Sequence, residues 1–115
     1  MYISQFLQLL ELRRNIRRQN DKEDILKDIS YLIVHIYCLS ENSLEFKQLL
    51  DNEMEYILKD CDIYYGMTRE KAIDSLKELS YLSSIYCIDK KSTFYYEIKK
   101  LIGSIISTYN LNNIL

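Results

Sequence analysis

Apolar residues return every three or four positions along five stretches of the chain, the spacing that gives an α-helix one buried face. Ile3, Phe6, Leu7, Leu10 and Ile16 predict a first helix over about 2 to 18, with Arg13, Arg14, Arg17 and Arg18 crowded at its end. Asn20 and Asp21 offer a stop and a new N-cap, and Glu23 and Asp24 place negative charge in the next first turn, where the helix dipole favours it. A second helix then runs over about 22 to 39 on Ile25, Ile29, Leu32 and Ile36, widened by Leu26, Ile33 and Tyr37 into a face suited to a bundle interior. Asn42 and Glu45 read as a capping pair for a third helix, carried by Phe46, Leu49, Leu50, Met54, Ile57 and Leu58 to the neighbourhood of Lys59. Cys61 to Met67 has no helical period and is the longest predicted loop. Thr68 is the N-cap of a fourth helix with Ala72, Ile73, Leu76, Leu79 and Leu82 on one side. After a turn from Asp89 to Ser92, Phe94, Ile98, Leu101, Ile102, Ile105, Ile106 and Tyr109 define a fifth helix; Asn110 ends it, leaving a tail from Leu111 to Leu115.

Part of this pattern occurs twice. The stretch from Asp24 to Leu32, DILKDISYL, is echoed from Asp74 to Leu82 as DSLKELSYL, with six identities in nine positions at a period of fifty. Such an echo marks a duplicated helical hairpin, here two pairs behind a leading helix. Two copies fall short of the roughly three repeats a solenoid needs, so an all-α compact bundle of about five helices is favoured. Ile36-Tyr37-Cys38 also recurs as Ile85-Tyr86-Cys87, but only after deleting one residue, which turns a helix by about 100 degrees. The ungapped alignment, pairing Ile36 with Tyr86, keeps the apolar stripe continuous and is preferred. It sets Ser83 and Ser84 against Ile33 and Val34, which predicts a more polar flank or a bend in the fourth helix.

Composition adds bounds to this picture. With 115 residues, 48% hydrophobic and 28% charged, the chain is a single helical domain over 1–115, able to bury one core without disulfides or metal. It has no proline and two glycines, Gly66 and Gly103, so little punctuation exists for a turn-rich β fold. Three cysteines, Cys38, Cys61 and Cys87, form no C-x-x-C pair and are odd in number, which argues against a disulfide framework or a zinc ribbon and for a reducing compartment. The amino terminus lacks a basic leader, and Ser4, Gln5, Gln8 and Glu11 interrupt its apolar run. A cytoplasmic protein with no membrane span is expected.

Few residue groups carry chemistry. His35 and Cys38 are three apart on one helix, as a thiol and its base would be, yet Cys38 lies in a strongly apolar stretch and the sequence identifies no orienting acid. Both read as structural residues. One histidine with scattered cysteines supplies no metal-ligand spacing, and neither glycine sits in a phosphate loop, so no cofactor is expected. The arginine cluster suits phosphate contacts, but the chain is net acidic at minus two, and salt bridging is preferred over nucleic-acid binding. Tyr31, Tyr81, Tyr95, Tyr96 and Tyr109 are expected to line the core edge with their hydroxyls near solvent.

Charge is most uneven between Glu41 and Asp62, where seven carboxylates face two lysines, a local net of minus five. The third helix is therefore expected to show water an acidic face through Glu45, Asp51, Glu53, Glu55 and Asp60, continued by Asp62. Tyr56 on the same helix, with Tyr64 and Tyr65 just beyond it, adds the contact area that interfaces favour, and negative potential speeds encounter with a basic partner. In size, charge, compartment and lack of catalytic groups, the whole chain resembles the small acidic helical immunity proteins that bacteria produce beside secreted toxins, including those of contact-dependent inhibition systems. The resemblance is one of overall profile, so the site residues are read from charge and aromatic placement alone. It implies a non-enzymatic inhibitor that covers the active site of a basic toxin domain, such as a nuclease. The alternative is a helical scaffold or viral host-factor antagonist that takes a partner helix into a groove between its own helices. Wide apolar faces also leave room for a homodimer.

Overall fold

A computed structural model describes residues 3–14, 21–39, 44–60, 66–86 and 93–111, and these form five α-helices with no extended strand among them. They are α1 (Ile3–Arg14), α2 (Asp21–Leu39), α3 (Leu44–Asp60), α4 (Arg69–Tyr86) and α5 (Thr93–Tyr109). The all-α bundle expected from the periodicity is what the chain builds. Two helix ends show how the sequence sets the boundaries. Thr68 caps α4 as predicted, its Oγ1 accepting from Lys71 N at 3.2 Å. Asn110 closes α5 with a left-handed φ of 60°, donating to the Ser107 carbonyl while Leu111 N donates to the Ile106 carbonyl at 2.9 Å. This paired reversal satisfies carbonyls that the end of a helix leaves open. Arg69 clamps the reversal by donating to the Asn110 carbonyl at 2.8 Å.

Packing puts α2 at the centre. It touches all four other helices, while α1 packs on α3, α3 on α4 and α4 on α5; α1 and α5 do not meet. These contacts, with a thickness of 19 Å against 39 and 33 Å in the other directions, describe two staggered layers: α5, α2 and α1 side by side over α4 and α3. Helices α3 and α4 therefore cover the inner side of α2, and among the described residues no helix covers the side of α2 between α5 and α1. The core between the layers contains Phe6, Ile25, Leu26, Ile29, Ile33, Ile36, Leu50, Met54, Ile57, Leu76 and Leu79. Met67, expected in a loop, is fully buried there; its N–H donates to the Lys22 carbonyl at 2.9 Å, tying the entry to α4 to the start of α2. Gly66 precedes it with φ 72°, a conformation that penalises any side chain. Leu111, read as tail, is also buried in the core.

The echo survives in three dimensions in its ungapped register. Leu26 and Leu76, Ile29 and Leu79, and Leu32 and Leu82 are all buried, and Tyr31 and Tyr81 are both exposed. Ile85, which the gapped alignment would pair with buried Ile36, is 47% exposed. Tyr86 instead stacks on Phe46 with ring centroids 5.1 Å apart. The polar replacements in α4 fall inward: Ser75 and Ser83, in place of Ile25 and Ile33, are buried and their hydroxyls lack hydrogen-bond partners. Ser84 turns back onto the Tyr81 carbonyl at 2.7 Å. The polar flank predicted at Ser83 is thus an interior seam. No helix among the described residues is long and apolar enough to cross a membrane.

Candidate functional site

The acidic face expected on α3 is dispersed by the winding of the helix. Phe46, Leu50, Met54 and Ile57 form the buried stripe, and a residue next to a stripe member in sequence lies about 100 degrees round, on a flank. Asp51, beside Leu50, is only 6% exposed and lies in the α2–α3 seam with Tyr37, whose phenol is pushed up by burial and by the Asp51 charge. Lys47 sits over the Tyr37 ring at 5.3 Å. Glu53, on the opposite flank, is half-buried against α4, with Oε2 sealed from water and unbonded. Desolvation pushes its carboxyl up to about 7; the Glu78 charge adds to this, and the Ser75 hydroxyl opposes it without closing a well-formed hydrogen bond.

What α3 shows to solvent is mixed. Glu45, Gln48, Asn52, Tyr56 and Lys59 are exposed, and Gln48 donates to Asn52 at 3.2 Å. Glu55 is committed to Lys59 at 2.8 Å, Glu45 lies beside the Tyr86 phenol and raises its pKa together with burial, and Lys71 sits 5.8 Å from the Tyr56 ring. Asp62, Tyr64 and Tyr65, the side chain of Asp60 and those of the arginine cluster lie outside the described residues. Of the predicted site residues that are described, Glu45 and Tyr56 are thus exposed, Glu55 and Glu53 are half-buried, and Asp51 is buried.

A different surface has the form of a site. Between α2 and α5 runs a groove of about 690 Å³, walled by Tyr31, Val34, His35 and Cys38 on one side and by Glu97, Leu101, Ser104 and Thr108 on the other. Leu32 and Ile105, both buried, make its floor. The two helices run antiparallel, joined by His35 Nε2 to Glu97 Oε1 at 3.1 Å toward one end and by the Tyr109 hydroxyl donating to Asp28 toward the other. Both carboxylates belong to the lining, and no lysine or arginine does among the described residues; Lys27 sits over the Tyr31 ring at 5.9 Å. Glu97 is the acid that sequence could not assign to His35, because the two are 62 residues apart. The pair is close to half exposed at both members, so it contributes at most about 1 kcal/mol to folding. Cys38 is exposed one helical turn beyond His35.

The tyrosines divide by the helix face they occupy, not by layer. Tyr109 is buried, with its hydroxyl on Asp28, whereas Tyr81 and Tyr96 stand well out in solvent and not at the core edge. Tyr95 packs against the core as expected, meeting Tyr96 edge to face at 6.0 Å. Sequence periodicity marks 28, 31, 35 and 38 as one side of α2, but a second helix had to be placed beside them to make a groove. Compared with protein-family models, curated proteins and solved structures, the chain matches none, so the reading of this site rests on its own geometry.

Proposed function

We propose that the chain is an inhibitory protein-binding domain that engages a basic partner through the α2–α5 groove and blocks the partner's working surface by occupying it. The observation that supports this reading is the groove itself: an apolar floor with a carboxylate toward each end, on a side of the central helix that no other described helix covers. Apolar floors supply affinity and acidic rims supply steering toward positive charge. Immunity against a basic toxin is one use of such a domain, and antagonism of a host factor through one of its helices is another. Both are binding roles without catalysis, and both move the contact from α3 to the groove.

Site-specific photo-crosslinking tests the reading. A photoreactive residue at Ser104, in the groove, should capture a basic protein in the native host, and the same residue at Asn52, on the exposed side of α3, should not. Capture from position 52 alone would return the contact to α3. Co-expression with a toxin encoded beside this chain separates the two uses: protection that disappears in Ser104→Arg supports immunity. An activity lost in Cys38→Ser with folding intact would instead point to thiol chemistry at His35 and Cys38.

A further inference from the structure

We infer that the groove seats one amphipathic helix of a partner protein, about three turns long, with two basic residues seven positions apart and apolar residues between them. The inference rests on the groove being the binding surface. Its length follows from the lining: Asp28 to Cys38 is a rise of ten residue steps along α2, about 15 Å, the length of about ten residues of a docked helix. Its shape is the valley between two packed helices, open along its length, and ridges of a third helix fit such a valley in the way helices pack on one another. The four other helices pack around α2 and, among the described residues, leave one side of it open, where a helix would continue the same packing. The charge pattern sets the register. Glu97 meets α2 at His35, and Asp28 lies seven residues earlier, so the two carboxylates are separated by about 10 Å along the groove, two turns of a bound helix. Leu32 and Ile105 on the floor, with Leu101 on the wall, call for apolar side chains three and four positions after the first basic residue.

Fluorescence anisotropy with labelled fourteen-residue model helices tests this on the full chain. One probe carries lysines at i and i+7 around leucines at i+3 and i+4, a second has glutamates for the lysines, and a third has the first composition scrambled. The lysine helix should bind at least tenfold more tightly than either control. Ser104→Arg, at an exposed groove position, should weaken it at least tenfold with the far-UV circular dichroism unchanged, and Asn52→Arg should leave it unaltered. Asp28→Asn with Glu97→Gln should remove the preference for lysine over glutamate. Equal binding of all three probes, no binding of the lysine helix, or indifference to Ser104→Arg would overturn the inference. So would a wild-type dimer that Ser104→Arg dissociates, which would give the groove to a second copy. If crosslinking from position 104 captures a partner while the model helices fail, the groove remains the contact and the helical occupant is refuted.

Discussion

Replacing Glu53 with glutamine should stabilise the protein at neutral and alkaline pH and leave it nearly unchanged in acid. The Glu53 carboxyl is raised from its ordinary 4.5 to about 7 by desolvation against α4 and by the Glu78 charge. Between those two values the native state holds a proton that the unfolded chain has released. Stability therefore falls as pH rises from about 4.5 to about 7 and levels off above it. A fully sealed carboxyl shifted this far would cost about 3 kcal/mol above pH 7, and partial exposure of Glu53 reduces that to about 1–2 kcal/mol. Glutamine has nearly the shape of the protonated acid, keeps a carbonyl acceptor and a donor at the same positions, and never ionises. Glu53→Gln should thus gain about 1–2 kcal/mol at pH 8 and no more than about 0.5 kcal/mol at pH 4.5. Urea unfolding followed by far-UV circular dichroism at both pH values measures the difference. A thermal melt at pH 8 should shift by about 4–8 °C for a chain of this length. Equal gains at the two pH values would show that packing or propensity was responsible, and no gain at pH 8 would refute the claim that burial opposes the ionised carboxylate.

Other substitutions probe the remaining framework. Gly66→Ala forces a side chain into a positive φ and should cost about 1–2 kcal/mol in urea unfolding, loosening the Met67 tie to α2. Ser83→Ala removes a buried hydroxyl that has no partner and should stabilise by about 1 kcal/mol in the same assay; a loss would mean that the hydroxyl is satisfied. Leu26→Ala and Leu76→Ala, equivalent in the echo and both fully buried, should each destabilise by about 2–5 kcal/mol. A cost at Leu76 of only a few tenths would break the equivalence.

The five helices are local properties of the chain, because helical period, caps and the absence of proline are written in neighbouring residues. Thr68 and Asn110 end up at the boundaries predicted for them, since a cap depends on residues within one turn. The ungapped echo was also legible, because a buried stripe repeats with its register. The candidate site was not. Counting carboxylates along 41 to 62 treats charge as a property of a segment, whereas a helix distributes consecutive residues around its axis, so that Asp51 and Glu53 were carried into seams on opposite flanks. Met67 and Leu111 read as loop and tail because nothing in their neighbours announces burial; contacts with distant helices put them in the core. The groove was decided only by tertiary packing. Its two carboxylates come from α2 and α5, brought together by pairs 62 and 81 residues apart, and among the described residues its side stays open because α1 and α5 flank the central helix without meeting.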